Sequence, residues 1–243
     1  NLETKFVAAN TLIALEKENH NLFTNPEIEK KKAQLKRVRH DYFEARTPKR
    51  KANCREKDKQ LRDELAELLV NNHDLQPATA KKLAAWNPYD QNASAPFFDM
   101  EWMFGIVPPT SLLEDGKQGG FDIVIGNPPY VEAKKLKEVS QTLRKYYSTY
   151  SGTADLYVYF YENGIKNLKQ NGTLVFITSN KFIKTSYGEN LRKYFTSFRI
   201  NEIIDFTDVH VFNALVASCI FSITKQSRKR NEIVIVFAND LLT

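Results

Sequence analysis

Asn127, Pro128, Pro129 and Tyr130 are consecutive, and these types in this order suit one kind of chemistry. Asn127 offers a side-chain carbonyl acceptor. Pro128 offers a backbone carbonyl beside it. Two adjacent acceptors fit an exocyclic amine on a nucleobase, a poor nucleophile because its lone pair is delocalised into the ring. Acceptors aimed at the amine hydrogens stabilise the positive charge that develops on nitrogen as it reacts. Tyr130 adds a flat face for a base flipped out of its stack, a contact worth roughly 1–3 kcal/mol per base.

Such residues need a rigid mount, and the preceding stretch predicts one. Phe121-Asp122-Ile123-Val124-Ile125-Gly126 is a β-branched apolar run that reads as a strand buried on both faces. Gly126 permits close backbone approach, Asn127 is pushed toward an extended conformation by the proline after it, and the two prolines end the ladder. The turn therefore stands at the C-terminal end of a strand, where open α/β sheets bind ligands. A second, incomplete copy, Asn87-Pro88-Tyr89, has one proline and no strand before it, and no function is assigned to it.

The stretch Phe121–Tyr130 resembles motif IV of amino-group methyltransferases that use S-adenosylmethionine, in the Asn-Pro-Pro-Tyr form typical of N6-adenine DNA methyltransferases. Lys5–Ile13 resembles motif III, a short apolar strand, with Asn10 where many relatives carry Asp. Asp155-Leu156 and the strand Thr173–Asn180 resemble motifs V and VI. Thr207–Ala214 resembles motif VIII, where Phe212 would hold the second face of the flipped adenine. The resemblance implies catalytic roles for Asn127, Pro128, Pro129 and Tyr130, base stacking by Tyr130 and Phe212, and cofactor contacts from Asn10, Asn127, Asp155 and Leu156. It also implies DNA contacts from Lys134, Lys135, Lys137, Arg144 and Lys145, in a loop expected to lie over the target base and to be mobile without DNA. Tyr146, Tyr147 and Tyr150 of that loop could stack on bases or simply pack.

The implied fold is α/β: an incomplete Rossmann-like methyltransferase fold with a helical-hairpin insertion. Residues 1–20 would carry motif III, 21–96 the insertion and 97–243 the core. Within the insertion, Ile28, Leu35, Val38 and Tyr42 form one apolar stripe, and Leu61, Leu65 and Leu68 with Cys54 form another. Thr47-Pro48 between them reads as an N-cap and first helical residue. Between Glu27 and Val70 stand 14 Lys and Arg against 9 Asp and Glu. This basic arm would suit DNA phosphates; an ordinary solvated helical surface has the same composition. The aromatic run Phe97–Phe104 is expected to pack against the sheet, and further strands are expected at Ile200–Asp205, Ala217–Thr224 and Glu232–Phe237.

The 243 residues carry a net charge of +6 and are 42% hydrophobic, enough for a substantial core and compatible with a nucleic-acid partner. No apolar run is long enough for a membrane span. Cys54 and Cys219 form neither a disulfide framework nor a metal spacing, which points to a reducing cytoplasm and no metal. The opening residue is Asn, so the chain is expected to be part of a larger polypeptide whose other segments carry motifs I and II, a target-recognition domain and, in enzymes of the fused Type IIG kind, an endonuclease. The expected activity of that parent is transfer of a methyl group from S-adenosylmethionine to the N6 amino group of adenine in double-stranded DNA, this stretch alone being inactive. Two alternatives stand beside it: protein glutamine N5-methylation, which also uses Asn-Pro-Pro-Tyr, and a non-catalytic DNA-binding module.

Overall fold

The computed structural model describes residues 3–18, 25–90, 92–111, 116, 118–206, 217–227 and 233–237. The chain divides into two compact units, Asn1–Ile106 and Val107–Thr243.

The first unit is helical. Helix α1 spans Pro26–Glu44, α2 Pro48–Asn71, α3 Pro77–Ala85 and α4 Met100–Phe104. The caps follow the sequence: the Asn25 side chain accepts from Glu27 N at 2.9 Å and Thr47 Oγ1 from Arg50 N at 3.3 Å, with proline next in each case. Cross-contacts descend one helix while ascending the other, Lys31 to Glu64, Arg39 to Asp58 and Tyr42 to Arg55, so α1 and α2 form an antiparallel hairpin. Leu35, Val38, Leu61 and Leu65 close its interior against Leu83 and Met103.

A buried ionic triad ties this unit together. Asp58, fully buried, accepts from Arg39 Nε at 2.8 Å and Arg62 Nε at 2.7 Å. The guanidinium groups also donate to the carbonyls of Trp102, Ala84 and Trp86, fastening α2 to α1 and to the ends of α3 and α4. Removing one member of such a set leaves an uncompensated buried charge, at a cost of about 3–5 kcal/mol. Tyr89 of the incomplete motif is used structurally: its ring lies 4.6 Å from that of Tyr42.

Two expectations are corrected here. Lys5–Ile13 is no strand: a 3-10 turn spans Glu3–Lys5, and only isolated bridges, Ala9 to Ala95 and Ala14 to Phe98, follow. Val7, Ala9 and Leu15 find their apolar contacts in the helical core instead. Phe97, Trp102 and Met103 belong to that same core, so the aromatic run packs among helices rather than on the sheet.

The second unit is α/β. Strands β1 (Phe121–Gly126), β2 (Leu168–Ser179), β3 (Phe198–Asp205), β4 (Ser218–Ser227) and β5 (Val234–Phe237) form one sheet in the order β1-β2-β4-β3-β5. β1 and β2 are parallel, β4 is antiparallel to both β2 and β3, and β5 is parallel to β3. Helices α5 (Ser140–Tyr146), α6 (Tyr157–Asn167) and α7 (Glu189–Phe195) complete it. The fully buried Tyr161 of α6 sits among Phe176, Phe182, Phe195 and Phe221, ring centroids 5.2–6.0 Å away. Gly164 makes that packing possible, because a Cβ there would lie 2.5 Å from Leu174 Cδ1.

Strand β1 is an edge strand, and it is not buried on both faces: Ile123 and Ile125 are 65% and 77% exposed. Only its other face, through Val124, lies near α6. The run of β-branched residues reported strand propensity correctly but could not say how many layers cover it. By sequence a helix reads from Ala154 to Lys169, closed by Asn171-Gly172; in the structure it starts at Tyr157 and ends at Asn167, so Asn171-Gly172 does not cap it. Asn171, with φ of 64°, sits inside β2 where the register with β1 shifts.

Candidate active site

The strand β1 delivers Asn127 to the C-terminal edge of the sheet, beside the parallel strand β2, where Gly126 pairs with Phe176. Asn127 and Pro129 are exposed, Pro128 is buried and Tyr130 is half-buried. Burying the second residue of the turn while exposing the first fixes the backbone and leaves the amide open. The Tyr130 hydroxyl reaches Ile177 O at 3.5 Å, and its ring meets that of Tyr157 edge-on, centroids 6.2 Å apart. Burial raises the Tyr130 pKa, so the phenol stays neutral at physiological pH.

The chain leaving the turn is braced by Asp155 and Leu156, both expected at the cofactor, and by Tyr157 and Tyr187. Leu156 N donates to Val131 O at 2.9 Å. The Asp155 carboxylate accepts from the Ala133 N–H and pairs with the Tyr187 hydroxyl; burial pushes its pKa up, while the Lys181 charge opposes that. Tyr187 and Tyr157 hydroxyls are 2.9 Å apart, and Tyr157 is fully buried. The brace thus runs from the turn exit through Asp155 and Tyr187 to Tyr157, the ring on which Tyr130 leans. Tyr157 stands in the aromatic sequence of α6, where packing alone would account for it, and Tyr187 in the 3-10 turn Ser186–Gly188 after β2 carries no local signal. At the same edge, Asn180 Nδ2 donates to Asp205 Oδ1 at 3.0 Å, linking the ends of β2 and β3.

The stretch 132–150 is folded. A 3-10 turn spans Ala133–Lys135, and α5 follows. Lys134 pairs with Glu132 at 2.5 Å, both exposed; Lys135, Lys137 and Arg144 are exposed, and Lys145 lies over the Tyr146 ring at 4.9 Å. Tyr147 and Tyr150 pack on Tyr159, centroids 5.7 and 6.2 Å away, and so serve the core. The segment is anchored by the buried Glu162, which accepts from Ser148 N at 3.0 Å and Thr149 N at 2.8 Å and pairs with Lys166 at 2.7 Å.

The residues expected at the cofactor fall in both units. Asn10 belongs to the first unit, where its side chain accepts from Leu12 N at 3.3 Å. Asp155 is engaged by the brace. Asn127 and Leu156 remain at the sheet edge. Phe212 lies outside the described residues, as does the whole stretch Thr207–Ala214 resembling motif VIII. Among the described residues no group of His, Cys, Asp or Glu is arranged to hold a metal ion, and no helix is long and apolar enough to cross a membrane.

Comparison with known proteins bears on the same turn. The model of the Eco57I restriction-modification methylase family matches residues 6–212. The Type II methyltransferase M.BstVI of Geobacillus stearothermophilus is 41% identical over 87 residues, covering 35% of this chain and 16% of that protein. The Type II restriction enzyme and methyltransferase RM.Eco57I of Escherichia coli is 33% identical over 114 residues, covering 44% and 11%. M.BanIII of Aneurinibacillus aneurinilyticus, a Type II methyltransferase, is 36% identical over 123 residues, covering 49% and 21%. The chain thus spans about a fifth or less of each of these proteins. The crystallised type IIG restriction endonuclease BpuSI covers 90% of this chain with 27% of its own, at 14% identity and a TM-score of 0.39.

Proposed function

The chain belongs to the Eco57I restriction-modification methylase family, and from that premise we propose that the natural polypeptide carrying it methylates the N6 amino group of adenine in double-stranded DNA with S-adenosylmethionine as donor. The observation that carries this reading is the exposed Asn127 amide beside the buried Pro128, at the C-terminal end of β1 and next to the parallel strand β2. The Asn127 side chain and the Pro128 carbonyl accept from the two amine hydrogens of a flipped adenine. As the amine nitrogen becomes tetrahedral, these bonds strengthen, so they favour the transition state over the ground state. Tyr130, held neutral and leaning on Tyr157, presents its ring to the base. Phe212 takes the opposite face. Lys135, Lys137, Arg144 and Lys145 meet the phosphate backbone. Asn127 and Leu156 would meet the cofactor, which supplies the methyl group when bound. The named relatives favour DNA over protein glutamine as the acceptor.

The test is Asn127→Ala in the natural polypeptide, assayed by transfer of labelled methyl groups to unmodified duplex DNA. The expected result is a loss of at least about 100-fold in rate, the scale set by removing one preorganised hydrogen-bonding group, with an unchanged melting midpoint. A variant that methylates at the parental rate would exclude Asn127 as the amine acceptor.

A further inference from the structure

The charge of the helical hairpin is not spread evenly. Its turn half, residues 36–59, holds ten Lys and Arg against four Asp and Glu, a net of +6, equal to the net charge of the whole chain. The open half, residues 27–35 and 60–70, holds four against five. The two halves also differ in what their charges do. In the open half, Lys31 pairs with Glu64, and Lys32 with Glu29 and Glu101. In the turn half, Arg39 is held by the buried Asp58, while Lys51 and Arg55 lie over the Tyr42 ring. Arg37, Arg46, Lys49, Arg50, Lys57 and Lys59 are exposed.

Arg50 and Lys57 fall on one face of α2, since seven residues are close to two helical turns, and Lys49 stands next to Arg50 in the first turn. That face begins at the capped N-terminus of α2. Like charges so placed repel one another, and folding gains nothing from gathering them. A polyanion that neutralises them relieves that repulsion. A regular row of phosphates does so by exchanging its condensed counterions for these side chains.

We infer that the turn of the α1–α2 hairpin is a sequence-independent docking surface for the phosphate backbone of double-stranded DNA. The inference deepens the proposed methyltransferase reading and rests on it for the choice of DNA. It assigns to the hairpin the electrostatic share of affinity, separate from the Asn127 turn, which does the chemistry.

The experiment compares two triple variants of the natural polypeptide with equal loss of charge. One is Lys49→Gln, Arg50→Gln, Lys57→Gln at the turn. The control is Lys30→Gln, Lys81→Gln, Lys82→Gln, three exposed cations of the same unit away from it. Circular dichroism checks that both fold. Anisotropy of a labelled duplex, titrated across a range of KCl concentrations, is the readout. With each phosphate contact worth about 0.9 in the slope of log affinity against log salt, the turn variant should lose about two to three from that slope. Its Kd should rise at least tenfold at low salt, while the control stays near wild type. Methylation at saturating DNA should be unchanged in both. Equal behaviour of the two variants would overturn the inference, as would a turn variant that binds the duplex normally but loses binding to anionic phospholipid vesicles. A wild-type protein that binds the duplex through the turn yet transfers no methyl group would overturn the methyltransferase reading and leave the docking surface standing.

Discussion

At the residue scale, the arrangement around Tyr130 separates a group that touches the base from groups that position it. Tyr130 can hold its ring still only if Tyr157 is held, and the Tyr157 hydroxyl, fully buried in the protein, has the Tyr187 hydroxyl as its partner at 2.9 Å. Tyr187 also meets Asp155, whose carboxylate receives the Ala133 N–H just past the turn. Deleting one hydroxyl therefore loosens both the ring and the turn exit. Tyr187→Phe should cost about 1–3 kcal/mol, the range for leaving a buried polar group unpaired, seen as a lower denaturation midpoint. Single-turnover methylation should slow several-fold while the KM for the cofactor holds. A merely structural tyrosine would lower the midpoint and leave the single-turnover rate alone.

At the element scale, α6 does two jobs with opposite faces. Tyr161 and Gly164 seat it on the sheet, and Glu162 reaches back to the backbone of residues 148 and 149. Burial pushes the Glu162 pKa up, but Lys166 and the two backbone N–H groups outweigh it, and the carboxyl ends below its ordinary 4.5. A depressed carboxylate pKa stabilises the fold above the unfolded value, and that contribution disappears as pH falls through the folded value. Glu162→Gln loses the charge and turns an amide N–H₂ toward groups that need an acceptor. It should destabilise by about 1–3 kcal/mol at pH 7, and urea titrations at successively lower pH should show the gap to wild type closing below about pH 4.5. A gap that stays constant down to pH 3 would show that the carboxylate charge is not what anchors the segment.

At the scale of the whole molecule, the expected cofactor contacts are divided between the two units: Asn10 is in the helical unit, and Asn127, Asp155 and Leu156 are in the second. By itself the second unit offers few contacts to offset the entropy of immobilising a flexible ligand, since Asp155 is already engaged by Ala133 and Tyr187. Calorimetric titration of the 243-residue chain with S-adenosylmethionine should therefore give no measurable binding in the micromolar range, and methylation by this chain alone should be absent. A clear micromolar isotherm would show that these residues do converge into a complete pocket.

The sequence by itself determined what short-range chemistry controls. The caps at Asn25 and Thr47, the apolar stripes of α1 and α2, and the strand that ends at two prolines are local, because hydrogen bonds and ring constraints act within a few residues. The Asn-Pro-Pro-Tyr turn was legible for the same reason. Layering and convergence belonged to the tertiary structure. Burial depends on what lies across a face, so Ile123 and Ile125 could read as core and yet stand exposed. Aromatic residues pack wherever a cavity of their shape is nearest, so Phe97 and Trp102 joined the helices. The Asp155–Tyr187–Tyr157 brace joins residues separated by up to 32 positions along the chain, and their meeting is set by how the loop after β2 folds back onto α6, which no local pattern encodes.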